Sequence, residues 1–305
     1  MIDELRLTHS VRRSCRALNV SSSGYYAWKR RQTQPPAQRA AERAALTTNV
    51  QRIYQRSRST YGSPRIHAQL RREGIACSRQ RIERLMRTMG LRSICKRRKR
   101  MRTTVADPVL PVVANLLDRH FNPPAPNEVW VADVTYIATL EGWLYWAVVI
   151  DPFSRKVIGS ATSTRFDRTL VCNALQQSLA TRTPPRLHHS DRGAQYASLE
   201  FRSLLRAYNI LPSMSRAGQC RDNAPMESFF ASAKADLGEQ LPFANVRYAE
   251  RALFNYVHAF YNRFRLHSTL GYRTPDEVER SWYNAHTTVT VEPEPSLPLE
   301  PTVFP

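Results

Sequence analysis

Trp130-Val131-Ala132-Asp133-Val134-Thr135-Tyr136-Ile137 is an apolar run of strand type with one carboxylate inside it. Valine, isoleucine and aromatic residues favour a pleated strand. An ionised aspartate within such a strand is costly unless it is paired or bound to a metal. We therefore interpret Asp133 as a metal ligand, the alternative being a salt-bridged core aspartate.

Two further carboxylates stand in different settings. Asp191 ends the short run Leu187–Ser190, and Arg192-Gly193 follows it directly. Glu227 lies in the first turn of a helix predicted to open at Asp222, and 35 residues separate it from Asp191. Taken alone, Asp191 would be a turn-former, and Glu227 would favour the helix N-terminus through its dipole.

Together, the three carboxylates meet the requirement of a two-metal phosphoryl-transfer site. Two divalent cations about 3.5–4 Å apart need several hard oxygen ligands around one point, with coordination left open for phosphate and water. The sequence therefore predicts that Asp133, Asp191 and Glu227 are both the catalytic residues and the metal ligands.

The positive charge of the chain is concentrated in its first third. The chain has 305 residues and a formal charge of +20. Residues 1–105 carry 26 Lys and Arg against 5 Asp and Glu, a balance of +21, whereas residues 106–305 carry 19 against 20, a balance of −1. A generally basic, Arg-rich protein would not divide so sharply. The split favours a basic DNA-binding module joined to a module of another kind.

Cysteine usage and hydropathy bear on the cellular setting. Five scattered cysteines without a CxxC pair predict neither a zinc site nor a disulfide framework. The N-terminus has no apolar signal core, and the longest apolar run, Trp143–Ile150, is too short to span a bilayer. We expect a soluble, cytoplasmic protein that does not enter a membrane.

Apolar periodicity predicts a basic helix-turn-helix DNA-binding domain over residues 45–105, all of it α-helical. One helix is predicted to start at Ser63-Pro64 and to stop at Gly74, and Ser78 is predicted to cap the next. Residues 1–44 are predicted to form an N-terminal helical segment and linker. Within that segment, Ser21–Gly24 is interpreted as a turn and Gln32–Pro36 as the linker.

Basic side chains on the outer face of the second helix are predicted to contact DNA phosphate, with some base readout. The alternative is a solvated basic helix pair without groove contact. The residues are Arg79, Arg81, Arg84 and Arg87, followed by the unbroken run Lys96, Arg97, Arg98, Lys99 and Arg100.

A Pro-rich linker over residues 106–126 is predicted to precede an α/β core over 127–283. The core pattern gives three consecutive strands, then helix, strand, helix, strand and helix, which predicts a mixed five-stranded sheet with flanking helices. An amphipathic helix over 246–263 and a capping box at Thr274 follow. The Pro- and Glu-containing tail, 284–305, is expected to be disordered.

Six motifs occur in a fixed order along the chain. They are Tyr61-Gly62-Ser63-Pro64-Arg65-Ile66, Arg84-Leu85-Met86, Trp130-Val131-Ala132-Asp133-Val134-Thr135-Tyr136, His189-Ser190-Asp191-Arg192-Gly193-Ala194-Gln195-Tyr196, Asp222-Asn223-Ala224-Pro225-Met226-Glu227-Ser228-Phe229-Phe230 and Tyr261-Asn262-Arg263-Phe264-Arg265-Leu266-His267. With them, over about residues 45–280, the chain resembles the retroviral-integrase-like DDE transposases of bacterial insertion sequences. The resemblance is strongest to the downstream-frame, OrfB-type catalytic protein of the IS-three family.

The resemblance implies a ribonuclease-H-like catalytic fold, with one Asp on the first strand, one after the fourth, and the Glu on a helix beside them. It implies cleavage and strand transfer of insertion-sequence DNA ends with two Mg²⁺ or Mn²⁺ ions. The implied partners are double-stranded DNA (terminal inverted repeats and target), further copies of this chain, and an upstream-frame, OrfA-type protein or a frameshift fusion with it.

Four other residues near these motifs are predicted to contact DNA. Lys234 lies seven residues after Glu227 on the same helical face, and we expect it to touch phosphate, the alternative being a solvated amine. Arg192 and Gln195 are predicted to line the site or the substrate strand. Asn223 is predicted to cap its helix or to reach DNA near the metals.

The remaining candidates have structural interpretations. Asp151 is interpreted as a turn residue and Asp222 as a helix cap. For Arg263, Arg265 and His267 the sequence leaves open whether they contact DNA or stabilise the helix end that they follow.

Two rival functions belong to other classes. One is a DNA-binding regulator with a vestigial nuclease-like domain, against which the complete carboxylate set argues. The other is a ribonuclease-H-type nuclease that cuts without joining.

Overall fold

The computed structural model describes residues 2–5, 9–33, 36–93 and 113–287. The chain divides into two compact units, Met1–Ser93 and Ile94–Pro305. The helices of the first unit are α1 (Ile2–Leu5), α2 (Val11–Ala17), α3 (Ser22–Thr33), α4 (Pro36–Arg56), α5 (Ser63–Arg72) and α6 (Arg79–Thr88).

The last three of these helices pack as predicted from apolar periodicity. Their buried residues are Leu46, Val50 and Ile53 on α4, Ile66 and Leu70 on α5, and Ile82, Leu85 and Met86 on α6. Gly74 has φ +76 after α5, a conformation that suits glycine. The Ser78 hydroxyl accepts a hydrogen bond from Arg81 N at the start of α6. Ser63 is not the cap of α5, which is Gly62; instead the Ser63 hydroxyl donates to Glu83 Oε1 on α6 at 3.0 Å.

The N-terminal segment is more helical than predicted. The Ser21–Gly24 stretch is the start of α3, where the Ser21 hydroxyl accepts from Gly24 N at 3.0 Å, so the predicted turn is wrong. α4 begins at Pro36 and passes through the boundary predicted between residues 44 and 45. Residues 38–45 are exposed and rich in Ala and Arg, which favour a helix without producing an apolar face. Periodicity therefore marked only the buried part of α4.

The second unit contains a five-stranded mixed sheet in the order β3-β2-β1-β4-β5, which confirms the predicted fold class. β1, β2 and β3 form an antiparallel meander, while β4 is parallel to β1 and β5 to β4. The strands are β1 (Val129–Thr139), β2 (Gly142–Asp151), β3 (Lys156–Ser163), β4 (Leu187–Ser190) and β5 (Leu211–Met214). The helices are α7 (Arg168–Leu179), α8 (Ala194–Ala197), α9 (Leu199–Ala207), α10 (Ala224–Asp236), α11 (Val246–Asn255) and α12 (Pro275–His286).

Both faces of this sheet are covered by helices. Because side chains alternate along a strand, Val129, Val131 and Ile137 of β1 pack in one apolar cluster with α10 and α11, while Trp130 and Ala132 pack in another with α7, α8 and α9. Asp133 continues the odd-numbered series, so it belongs to the face that carries α10.

Gly159 allows α7 to lie directly on β3. A Cβ added at this position would stand 2.2 Å from Ala174 O and 2.2 Å from Ser178 Oγ, both on α7. The helix therefore approaches the strand backbone more closely than any side chain at 159 would permit.

The predicted linker over 106–126 is partly core. Residues 106–112 lie outside the described ranges, but Leu117 is buried, and the amides of Leu116 and Leu117 donate to Ser213 Oγ at 2.9 and 3.3 Å. The Pro content marked a boundary, yet the backbone after it is tied to the end of β5.

At the C-terminal end, the predicted helix over 246–263 is α11 followed by a π-helical turn, Tyr256–Tyr261. The predicted capping box at Thr274 is present. α12 continues to His286, beyond the start predicted for the tail, and residues 288–305 lie outside the described part of the chain. Among the helices that the structure describes, none is both long and apolar enough to cross a membrane.

Candidate active site

Asp133 lies on β1 just beyond the place where β1 pairs with β4. The parallel pairing covers Val129 to Val131 of β1, and Asp133 is half-buried two residues further on. Val134 N donates to Asp133 Oδ1 at 2.7 Å. The carboxylate is therefore held at an open part of the central strand.

Asp191 follows β4 directly. Because β1 and β4 are parallel neighbours, residues that leave their carboxyl ends meet at the same edge of the sheet. Gly193 N donates to Asp191 Oδ1 at 2.9 Å, and a Cβ at residue 193 would stand 3.0 Å from that oxygen and 3.1 Å from Gln195 Oε1. Glycine thus keeps the space beside the Asp191 carboxylate clear.

Glu227 is half-buried in the first turn of α10. This helix packs against the β1 face through Met226, Phe229 and Ala233. The N-terminal end of α10 is tied to β1 by Asn223, whose Nδ2 donates to Ala132 O at 3.0 Å. One hydrogen bond therefore links the helix that carries Glu227 to the strand position next to Asp133.

The electrostatics of Asp133 connect all three acids. Burial raises the pKa of Asp133 well above its ordinary value, and the negative charges of Asp191 and Glu227 raise it further. The hydrogen bond from Val134 N and the positive charge of Lys234 act in the opposite direction. The three acids therefore share one neighbourhood. In the described ranges, however, no three His, Cys, Asp or Glu side chains stand close enough to form a ready metal cluster.

The donor set fits divalent cations. Three carboxylates supply the hard oxygen ligands that Mg²⁺ and Mn²⁺ prefer. The clear space at Gly193 lies beside the Asp191 carboxylate. Asn223 Oδ1, on the amide that binds Ala132 O, is buried without a hydrogen-bond partner among the described residues. A cation would also relieve the repulsion that raises the pKa of Asp133.

Lys234 reaches the same edge of the sheet. Its Nζ lies 4.7 Å from the centre of the Tyr136 ring, a cation–π contact, and its side chain is half-buried. Burial lowers the pKa of Lys234, while the charge of Asp133 partly restores it. Lys234 is thus the cation that faces the acidic neighbourhood from α10.

The other residues predicted to line the site occupy different positions. Arg192 is half-buried and donates through Nε to Ser215 O at 2.7 Å, which ties the loop after β4 to the end of β5. Gln195 is half-buried on α8 beside Gly193. Asn223 is at the N-cap position of α10 but its side chain does not cap the helix, because it is bound to β1 instead. This clamp was missed by sequence reasoning.

The predicted DNA-binding arginines of the first unit are exposed. They are Arg79, Arg81, Arg84 and Arg87, on the side of α6 opposite its buried residues. Arg79 pairs with Glu83 at 2.9 Å, an exposed contact of small energy. Lys96, Arg97, Arg98, Lys99 and Arg100 lie outside the described residues.

The two acids interpreted structurally have different outcomes. Asp151 is a turn residue as predicted, since its oxygens accept from Asn127 N at 2.8 Å and Phe153 N at 2.9 Å. The prediction of a cap is wrong for Asp222. This buried carboxylate accepts from Arg216 and Arg119, and Arg216 holds its pKa well below the ordinary value.

The basic residues around position 265 differ in burial and in their contacts. Arg265 is buried and pairs with Asp236 at 3.0 Å, and Asp236 also accepts from the Tyr256 hydroxyl at 2.9 Å. Arg265 is therefore structural. Arg263 is exposed, and the ring of His267 makes an edge contact with Tyr261.

Comparison with known proteins agrees with this arrangement. The family model described as "Integrase core domain" matches residues 123–220, and a second model of the same description matches residues 208–275. A model described as "HTH-like domain" matches residues 41–99. The catalytic core domain of HTLV-2 integrase aligns at 19% identity with a TM-score of 0.42, covering 52% of this chain and 99% of that one.

Relatives with higher identity extend over nearly the whole chain. The chain is similar to the transposase InsF of insertion sequence IS3A from Escherichia coli K12, at 38% identity over 91% of this chain and 96% of the relative. It is 39% identical to an uncharacterised 31 kDa protein of insertion element IS600 from Shigella sonnei, over 88% of this chain and 98% of the relative.

The mixed sheet and the matching family models define an enzyme of the polynucleotidyl-transferase class with an integrase core. At this identity and coverage, the chain belongs to the insertion-sequence transposases of the IS3 family.

Proposed function

We propose that the chain cleaves the ends of insertion-sequence DNA and joins the freed 3′-hydroxyl to target DNA in a reaction that requires Mg²⁺ or Mn²⁺, two ions per site. The observation that carries this proposal is the raised pKa of Asp133. Burial, Asp191 and Glu227 all oppose the negative charge of Asp133, and a bound cation would favour its ionised form.

In this proposal Asp133, Asp191 and Glu227 hold the ions. Bound divalent cations would activate the attacking water or 3′-hydroxyl and stabilise the departing oxygen. The protein's own contribution is to position the ligands: Val134 N orients Asp133, and Gly193 N orients Asp191.

Positioning of the strand against the helix falls to Asn223. Its hydrogen bond to Ala132 O fixes the separation between β1 and the start of α10. The distance between Asp133 and Glu227 depends on that separation, because each acid is rigidly attached to its element.

Phosphate binding near the cut falls to Lys234. Its ammonium lies beside the acids, where it neutralises charge on the DNA backbone at the reacting end. Gln195 and Arg192 flank the Asp191 loop and line the path of the strand.

The basic first unit would bind DNA away from the candidate active site. The exposed arginines of α6 present five-donor guanidinium groups that fork onto phosphate. The family match to an HTH-like domain over residues 41–99 supports DNA binding by this unit. We propose terminal inverted repeats and target DNA as the ligands. Further copies of this chain and an upstream-frame protein, or a fusion with it, are the proposed protein partners.

The test is a joining assay with Asp133→Asn. Element ends are incubated with a target plasmid and Mg²⁺, and covalent joint molecules are measured. Loss of a metal ligand is expected to reduce joining by about 10³-fold or more, since bound metal supplies several kcal/mol of transition-state stabilisation.

The matched control is Glu200→Gln, which removes an exposed carboxylate paired with Arg168 and should join at the wild-type rate. DNA affinity should be unchanged in both variants. Joining by Asp133→Asn at the wild-type rate would refute the site, and cut ends without joint molecules in the wild type would indicate a nuclease instead.

A further inference from the structure

Four aromatic side chains form a continuous strip on the β1–β2 hairpin and the segment before α7. We call Trp143, Tyr136, Tyr145 and Phe166 the aromatic strip. Tyr136 and Trp143 are in edge contact at 4.9 Å between ring centres, and Tyr145 and Phe166 are stacked at 5.0 Å. Tyr136 and Tyr145 are directly opposite each other in the β1–β2 register, so the two pairs join.

Core packing accounts for Tyr145 in the middle of the strip, which packs against the apolar cluster that includes α7, but not for the two ends. Trp143 is 55% exposed and Phe166 is 50% exposed, at opposite ends of the row. An exposed aromatic surface of this kind is typical of a binding site. Covering such a ring is favourable, because an aromatic side chain can remove about 150–250 Å² of surface from water.

The position of the strip identifies its ligand. One of its members, Tyr136, projects from the other face of β1 than Asp133, yet its ring carries the ammonium of Lys234, whose charge acts on Asp133. The exposed Arg165 precedes Phe166. Of the acids nearby, Glu141 in the hairpin turn accepts from Val246 N at 2.8 Å, and Asp167, next to Phe166, caps α7 by accepting from Leu170 N at 3.3 Å. Aromatic faces flanked by cations are suited to nucleic acid, in which bases alternate with phosphates.

We propose that the aromatic strip binds unpaired bases of single-stranded DNA beside the reacting end. Lys234 would take the phosphate next to the cut, and the exposed rings of Trp143 and Phe166 would stack on bases that continue from it. The half-buried Tyr136 and Tyr145 hold these two rings in one row. The placement of the cut rests on the proposed function, whereas base binding by the strip does not. A base stacks on a side chain only when it is out of its pair, and the strip offers such bases a surface.

The experiment compares two single-stranded ligands of equal charge. The full chain is titrated with a labelled dT 12-mer and with a 12-mer of abasic sites, and affinity is measured by fluorescence anisotropy. Both ligands contact the basic first unit equally, so the difference in affinity reports base stacking alone. The wild-type chain should bind the dT 12-mer at least tenfold more tightly than the abasic 12-mer.

Substitution should remove that difference. Trp143→Ala and Phe166→Ala are each expected to lower dT affinity by about tenfold, with abasic affinity unchanged. Trp143→Phe should retain most of the difference, since any aromatic face stacks. Phe254→Ala is the matched control, because Phe254 is 62% exposed on α11 and lies outside the strip.

Three results would overturn the proposal. The first is equal binding of the two 12-mers by the wild type, and the second is a loss of dT affinity in Phe254→Ala equal to that in the strip variants. The third is a strip variant that changes the sedimentation of the chain but not its base-dependent affinity, which would assign the strip to a second copy of the chain. The joining assay with Asp133→Asn is independent of this titration, so either proposal can fail while the other stands.

Discussion

In two regions of the second unit, the pKa values of buried acids are shifted in opposite directions. Where α12 meets the sheet, Glu279 forms ion pairs with Arg182 and with Lys156, the latter at 2.7 Å. Burial alone would raise the pKa of Glu279, but these two cations lower it. Within β1, just beyond its pairing with β4, burial raises the pKa of Asp133, and its acidic neighbours raise it further. The fold neutralises the acid that holds the structure together, whereas the raised pKa of the other acid agrees with our proposal that it binds a cation.

Asp222 shows that proximity in sequence does not decide which treatment an acid receives. It lies five residues before Glu227 but is bound by Arg216 and Arg119, as a structural acid is. The contrast is therefore a property of the site. It gives a physical reason for assigning Asp133 to catalysis and Asp222 to structure.

The largest effect is expected at the paired acid. Glu279→Ala should destabilise the protein by about 3 kcal/mol, because Arg182 loses its buried ion-pair partner and Lys156 keeps only Asp276. Urea denaturation measures the change. Glu200→Ala removes an exposed ion pair with Arg168 and should cost at most about 0.5 kcal/mol. Equal losses of stability in the two variants would mean that the ion pairs of Glu279 do not stabilise the packing of α12 on the sheet.

An intermediate effect is expected at Asp151, a buried acid bound by two backbone amides. Burial raises its pKa to about 6. The folded state therefore keeps a proton that the unfolded state releases near pH 4, so the stabilising contribution is complete below pH 4 and is lost as the pH rises through 6. Between these values the wild type should lose about 2 kcal/mol relative to Asp151→Asn.

Urea denaturation of both proteins from pH 4 to 7 measures this difference. Taking the difference cancels Glu279, whose lowered pKa gives a contribution of opposite sign that is lost as the pH falls. A difference that stays constant over the window would show that Asp151 ionises freely in the folded state.

Local signals in the sequence predicted much of this architecture. The apolar run around Asp133 and the glycine after α5 act within a few residues, so pattern and backbone preference suffice. The partners of Asp222 could not be predicted in this way, because Arg119 lies 103 residues away along the chain. The exposed first turns of α4 were missed for another reason: they have helix propensity without apolar periodicity.

The candidate site also has some features that local sequence predicts and others that depend on contacts between distant residues. Sequence placed Asp133 inside the first strand, Asp191 directly after the fourth and Glu227 on a helix, and the parallel β1–β4 pairing brings the first two to one edge. The clamp from Asn223 to Ala132 O joins elements 91 residues apart, and no local pattern indicates it. The separation of the three carboxylates is set by such contacts, which is why the sequence predicts the ligands but not their spacing.

The smallest effect concerns Asp133 itself, and its sign distinguishes the two regions. Because its pKa is raised in the folded state, the ionised carboxylate opposes folding at neutral pH. In chelator, Asp133→Asn should therefore be more stable than the wild type by about 1 kcal/mol, the reverse of Glu279→Ala. Added Mg²⁺ should stabilise the wild type by about 1.4 kcal/mol at ten times its dissociation constant and leave the variant unchanged. Urea denaturation in EDTA and in MgCl₂ measures both terms, with Glu200→Gln as the control that keeps the wild-type response. If Asp133→Asn were destabilised in chelator, or still gained stability from Mg²⁺, then Asp133 would be an ordinary structural acid and the contrast between the two regions would disappear.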